Sequence, residues 1–366
     1  MALTLHGTVS DNTVALDRKT ATPLIINGDM AIAQRGTSET GITGSTYHTV
    51  DRFTTFMSSL GTWTLSQSTD VPTGQGFSNS LKWDCTTADA SPSASDYLIH
   101  QIRMEGQHLQ VLKKGTSNAE SFTFSFWVKS NKTGTYNVEM LDKDNPRMIT
   151  KQYTIDSANT WEKKVLSFAG DTTGALDNDN ANSLEINMWL GSGSNFSSGT
   201  TQTSWATTTN ANRAVGNVNL ADSTANEWLI TGVQLEVGTF DVNSIPPFQF
   251  EDVGTSLARC QRYYEKTYNL DVDPGTGSNP VGRYQFYSYG LDDNQRFPIR
   301  YHTRKRAAPT IVAYSSADGT SGKASNGGGT NYTVTSDSIG ESGFGLKGAG
   351  GTQDGFFVHF TFESEL

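Results

Sequence analysis

The stretch SFTFSFWVKS, residues 121–130, sets Phe122, Phe124, Phe126 and Val128 on one side of an extended chain and Thr123, Ser125, Trp127 and Lys129 on the other. Bulky apolar residues at a period of two are the pattern of a strand with one face on a core. The same texture recurs at Arg52–Met57, Trp63–Ser68, Leu81–Cys85, Tyr97–Met104, Tyr136–Leu141, Lys151–Ile155, Glu162–Phe168, Leu184–Leu190 and Trp228–Val237. Turn clusters such as Asn131-Lys132-Thr133-Gly134 and Asp142-Lys143-Asp144-Asn145-Pro146 separate these segments. Short strands at this spacing predict a β-sandwich over residues 23–250. At 366 residues the chain is long enough for a second core. RYQFYSYG, RFPIRYHT, PTIVAYSS, NYTVTSDS and FFVHFTFE predict a smaller sandwich over 269–366. The expected class is all-β: a jelly-roll-like sandwich, a short helix, then the second sandwich.

Between the two lies a seam. In Trp228–Val237 the odd-numbered Leu229, Thr231, Val233, Leu235 and Val237 read as the buried face. Pro246 and Pro247 remove two backbone donors and take the chain out of the sheet. A linker helix is expected within 251–268, capped by Asp252 and running to about Lys266, with Val253, Leu257, Cys260 and Tyr264 on one face. That stripe lies across its own sandwich or meets its copies around a threefold axis; its three-four spacing is that of a coiled-coil seam, which favours an oligomer contact. Residues 1–22 alternate too weakly to form a core and read as a disordered tail or an arm ordered by a neighbour.

Composition narrows the chemistry. A net charge of −10 argues against a nucleic-acid partner, which needs a clustered positive surface. The short basic run Arg300, Arg304, Lys305 and Arg306 reads as a solvated loop or strand edge. Cys85 and Cys260 fall in different predicted domains, so no disulfide framework is expected. The N-terminus lacks the pattern of a secretory signal, and no stretch is long enough to cross a bilayer. The histidines have no metal-ligand spacing, no nucleophile elbow follows a strand, and no repeat of about twenty residues suggests a β-helix. Two carboxylates of a glycosidase need only converge in space, so spacing is silent on them. Neither a cofactor nor a resident metal is expected; Asp171, Asp177 and Asp179 are the candidate calcium ligands, with a solvated loop as the plainer reading. The long polar loop over 191–219 makes Trp205 a candidate ligand-binding residue, and Tyr287 and Tyr289 are the aromatic candidates of the second sandwich.

Asn27-Gly28, Gln34-Arg35-Gly36, Tyr47 and Asp51-Arg52-Phe53, with Thr231–Glu236, Pro247–Phe250, Ala258–Lys266 and Phe356–Leu366 downstream, resemble tail-fibre and related virion proteins of tailed bacteriophages, particularly marine ones. Asn27-Gly28 by itself reads as the positive-φ pair of a tight turn, and Asp51 and Arg52 as neighbours on opposite faces of a strand. The strand order around Gln101–Gly106, residues 121–130 and Trp161 is similar in pattern to jelly-roll carbohydrate-binding modules. The resemblance implies a virion structural protein of tail-fibre type, a non-enzymatic homotrimer that touches other virion proteins through its arm and a host cell-surface glycan or protein through its sandwiches. Its place would be the virion, after assembly in the host cytoplasm. A head fibre or capsid decoration or adaptor protein, and a glycan depolymerase, are the alternatives.

Overall fold

The computed structural model describes residues 19–289, 296–348 and 353–366. Residues 1–18, most of the expected arm, lie outside the described residues. The first part holds β1 (Ser38–Ile42), β2 (Phe53–Ser58), β3 (Thr62–Ser68), β4 (Ser80–Thr87), β5 (Tyr97–Glu105), β6 (Phe122–Ser130), β7 (Gly134–Asp142), β8 (Arg147–Ile155), β9 (Glu162–Phe168), β10 (Asn182–Ser192), β11 (Ala206–Thr207) and β12 (Glu227–Val237). They form two six-stranded antiparallel sheets, β1-β3-β4-β12-β6-β9 and β11-β8-β7-β10-β5-β2. Most connections carry the chain from one sheet to the other, the jelly-roll-like sandwich expected from the pattern. Phe122, Phe124, Phe126 and Val128 of β6 enter one core with Tyr136, Val138 and Met140 of β7 and Ile186, Met188 and Leu190 of β10.

β12 departs from its expected parity. Trp228 and Ile230 face the core, and so do Val233, Leu235 and Val237. The side switches because the β12–β6 register shifts between Thr231 and Gln234, where Gly232 takes φ +62°. A bulge of one residue exchanges the two faces of everything after it. The strand is central in its sheet, and both of its faces are covered as well.

The remaining strands are β13 (Tyr264–Lys266), β14 (Tyr284–Tyr289), β15 (Phe297–Arg300), β16 (Thr310–Ser315), β17 (Lys323–Asn326), β18 (Asn331–Gly340), β19 (Gly343–Gly348) and β20 (Gln353–Glu363). They make an eight-stranded sheet in which β20 pairs with β13, β14, β16 and β17. Phe356, Val358, Phe360 and Phe362 alternate into its core. The sheet folds over that core until Phe286 of β14 meets Phe297 of β15, ring centroids 4.7 Å apart.

The helix between the two units is shorter than expected. It spans Val253–Gln261, with the Asp252 carboxylate accepting from Thr255 N at 3.0 Å, and Tyr264 already belongs to a strand. The end of β20 is the reason: Tyr264–Lys266 pair with Thr361–Glu363, while Ser364 N donates to Tyr263 O at 2.7 Å and Ser364 Oγ to Arg262 O at 3.0 Å. Sheet pairing takes the groups that a further helical turn would have used.

Candidate functional site

The motif residues of the sequence converge on one place, where the helix and the end of β20 pack on residues 25–52. Asn27, at φ 60°, is buried and holds the chain by its side chain: Nδ2 donates to Ile32 O at 2.9 Å and Asp51 O at 3.0 Å, and Oδ1 accepts from Ile32 N at 2.9 Å. Gly28 has no positive φ, and its role is close approach, since a Cβ there would meet Val233 O at 2.1 Å. Asp51 accepts from Gln34 N and Gln34 Nε2, and the same Nε2 donates to Tyr264 O at 2.7 Å.

Arg35 stands 3.7 Å from Asp51, 3.2 Å from Glu365 and 3.5 Å from Glu363, with its guanidinium 3.8 Å from the centre of the Tyr264 ring. Arg52 is not a strand residue but sits at φ 74° before β2, ion-paired with Glu365 and donating to Arg103 O at 2.9 Å. Burial pushes the Asp51 carboxyl up to about 6, although Arg35 and the Gln34 donors pull it down. This is a weld of buried charges. Each needs the others, because a lone charge in that setting costs several kcal/mol.

Beside the weld an open cleft of about 870 Å³ separates the two sandwiches. His108, Asp179 and Asn180 line it from the first sandwich, Arg304, Arg306 and Glu341 from the second, and Arg262 from the end of the helix. A second depression of about 240 Å³ shares His108 and Arg262 with it and continues to Arg259, Pro23 and Thr22. The two adjoin at His108 and Arg262 to make a groove that is polar in the cleft and partly apolar in the depression, where Leu24 and Ile26 line it. Arg262 is held by a fork on Glu105, at 3.0 and 2.9 Å; burial raises the Glu105 carboxyl, but hydrogen bonds from Arg262 and Tyr263 and the nearby charges of Arg262 and His108 together keep it below its usual range. The basic run is not a simple solvated edge. Lys305 is fully buried on Glu265 and Gln261 O, while Arg304 and Arg306 on either side of it line the groove.

The sequence-predicted residues fall in several places. Trp205 is half-buried, packs on the first core and donates to Ala169 O at 2.8 Å. Its loop is tied down by Arg213, which forks onto the buried Glu139 at 2.7 and 2.9 Å. Tyr287 is 48% exposed on the outer side of β14, and the side chain of Tyr289 lies outside the described residues.

Asp171 is buried against Arg147 at 2.6 Å and Lys114 at 3.1 Å, whereas Asp177 and Asp179 are exposed; the three do not form a cation site. Among the described residues no group of three or more His, Cys, Asp or Glu side chains could hold a metal ion. The expected oligomer stripe is also corrected. Cys260 and Tyr264 are buried within the chain, Leu257 packs with Ile26 and Ile32, and of the four only Val253, 63% exposed, faces outward. Cys260 and Tyr263 are drawn inward by residues 25–35, a contact that helical spacing cannot register. Neither Glu105 nor Glu365 was singled out from sequence, and Arg306 was read only as part of a solvated basic run, because nothing local distinguishes a charge that a distant segment will cover.

Fold and site together define an all-β protein of two joined sandwich-like units with a polar groove between them. No protein-family model matches the chain, and no curated protein sequence does. Among solved structures, the chain is similar to the enzymatically active domain of tailspike protein 4 of bacteriophage CBA120, at 13% identity and a TM-score of 0.31, over 59% of this chain and 21% of that one. It is also similar to the CBM22-1 xylan-binding domain from Paenibacillus barcinonensis, at 10% identity and a TM-score of 0.28, over 60% of this chain and 97% of that one. A CBM4 module is a third, at 12% identity and a TM-score of 0.25, over 47% of this chain and 77% of that one.

Proposed function

We propose that the chain is a virion structural protein of a tailed bacteriophage, of tail-fibre type, and that it presents its sandwiches to a host cell surface and recognises a glycan there. In this reading it is a non-enzymatic homo-oligomer, joined to other virion proteins through residues 1–22. The observation that carries the reading is the groove. Its walls bring amide, carboxylate, imidazole and guanidinium groups from the two units to one open channel, and sugars are bound by such convergent donors and acceptors. The motif residues that carry the resemblance to virion proteins support it in a second way: they build the weld that fixes the groove walls.

The test is a glycan array probed with the purified full-length protein, followed by adsorption of phage in the presence of soluble protein. Binding to a restricted glycan set and blocked adsorption are expected. Binding to no glycan sinks the reading. Asp179 and Glu341 line the same cleft, so release of reducing ends from a bound glycan is measured alongside. Turnover that disappears in Asp179→Asn or Glu341→Gln would replace presentation with depolymerisation. Sedimentation of the full-length protein decides the oligomeric state, with a trimer expected.

A further inference from the structure

We propose that the groove between the sandwiches takes an acidic glycan, a polysaccharide bearing carboxylate groups; this rests on the glycan-recognition reading above and names the ligand class of the same site. Arg259, in the last turn of the helix, and Arg262, its C-cap, are three residues apart and so share a side, and both line the groove. Arg304 and Arg306 of the second sandwich line the same cleft as Arg262, and Arg306 N donates to Arg262 O at 2.9 Å, so these three arginines are clustered. Guanidinium forks match carboxylates in shape and charge.

Arg306 is the centre of the argument. Its three nitrogens donate to Ser364 O at 2.8 Å, Asn180 O at 2.9 Å and Glu365 O at 2.9 Å. Backbone carbonyls hold the group in place without neutralising it, and among the described residues no carboxylate is ion-paired with it. Arg304 adds a charge that can be exchanged. It is paired with Glu341, but the two side chains are 73% and 39% exposed, and a pair so open to water is weak enough for a ligand carboxylate to replace it.

The lining also argues against the two nearest rivals. Among the described residues no Phe, Tyr or Trp lines the groove, so a neutral sugar would have no ring to stack on and a single-stranded nucleic acid no platform for its bases. Arg259, Arg262 and Arg304 each share a carboxylate, from Glu251, Glu105 and Glu341. Asp179 also lines the cleft, so four carboxylates offset the four guanidinium groups and no net positive field remains for a polyphosphate, which carries about one charge per 1.7 Å of duplex; what a ligand can use is the un-neutralised Arg306 and the exchangeable Arg304. An acidic polysaccharide, with a charge per sugar or fewer, fits that pair of charges.

The experiment measures binding of the full-length protein to polygalacturonate, alginate, hyaluronate and polysialate, each beside its carboxyl-reduced form, across a salt series. At least one acidic polymer is expected to bind about tenfold or more tighter than its reduced form and to weaken with salt. Arg304→Gln should lose roughly tenfold of that affinity, and Glu341→Gln, which frees Arg304, should gain affinity. Equal binding of acidic and reduced forms overturns the proposal while leaving glycan recognition intact. Weaker binding by Glu341→Gln overturns it too, as does single-stranded DNA binding as tightly as the best acidic polymer. Failure of every neutral and acidic glycan on the array removes instead the reading on which it rests. Both substitutions are on exposed or half-exposed side chains, and unchanged melting curves confirm that the variants are folded.

Discussion

The guanidinium carbon of Arg52 lies 3.4 Å from the centre of the Tyr263 ring. Arg52 precedes β2 and Tyr263 lies between the helix and β13, so this cation–π contact ties the first strands of one sandwich to the entry of the other. Glu365 completes it from the end of the chain by pairing with both Arg52 and Arg35. The relative placement of the two units is therefore set by buried charges from three distant segments. Changing any one of them should be felt at both ends.

Glu365 is where that statement can be tested. Glu365→Ala leaves Arg35 and Arg52, with side chains only 10% and 4% exposed, short of the carboxylate they share. A loss of about 3–5 kcal/mol in unfolding free energy is expected. Glu363 also reaches Arg35 but is 46% exposed, and Glu363→Ala should cost no more than about 1 kcal/mol. Urea melts of the two variants side by side check the contrast, and equal losses would mean that burial does not govern this cluster.

Asp51 gives the weld a pH dependence of a particular sign. Its carboxyl is raised from 3.8 to about 6 in the folded chain, first by burial. Between those values the folded state binds more protons than the unfolded state. Asp51 therefore penalises stability above about pH 6, and the penalty is relieved as pH falls toward 4. Asp51→Asn carries no such titration, so its stability relative to the parent should be more favourable at pH 7.5 than at pH 5. Thermal melts at the two pH values measure this, and a difference of the opposite sign would show that Asp51 is held charged.

His100 acts in the other direction. Its ring is fully buried among Phe53 at 5.4 Å, Trp228 at 5.4 Å and Trp83 at 6.0 Å, and burial lowers its pKa from 6.5 to about 3. A depressed imidazole binds its proton first in the unfolded state, so its stabilising effect is present above pH 6.5 and lost as pH falls toward 3. His100→Phe keeps the ring packing and removes the titration. The variant should lose less stability than the parent between pH 7 and pH 4.5, read as the shift in urea midpoint.

Gly232 tests the bulge. It combines φ +62° with a site where a Cβ would lie 2.6 Å from the Phe77 ring and 3.0 Å from the Trp127 ring. Gly232→Ala should cost about 2–4 kcal/mol, from left-handed strain and overpacking together. Gly41 has a similar φ of +72° with nothing within 4 Å of the added Cβ. Gly41→Ala should cost only the strain, about 1 kcal/mol. Matching losses would mean that the rings move aside freely.

Much of the architecture was legible in the order of the residues. The period of two in residues 121–130 placed Phe122, Phe124, Phe126 and Val128 on the core, and turn clusters marked the ends of β6 and β7. A strand pattern survives folding because the pleat turns alternation directly into faces. β12 shows where this stops: Leu229 to Val237 alternate without a break, yet the chain slips by one residue at Gly232. The space that Phe77 and Trp127 take there is a tertiary fact.

The candidate site was less legible, for a related reason. The sequence determined the class of fold, the positions of most strands of the first sandwich, the cap at Asp252 and the grouping of unusual residues at Gln34-Arg35, Asp51-Arg52 and Arg262–Lys266. Only the tertiary structure decided that these groups meet, that Tyr264 pairs with Glu363 instead of continuing a helix, and that Arg306 bonds to the Arg262 carbonyl beside a groove. Local propensity acts over a few residues, whereas the partner of Arg52 is 313 positions away. A charge chooses its environment through whatever the fold places beside it, and no spacing along the chain records that choice.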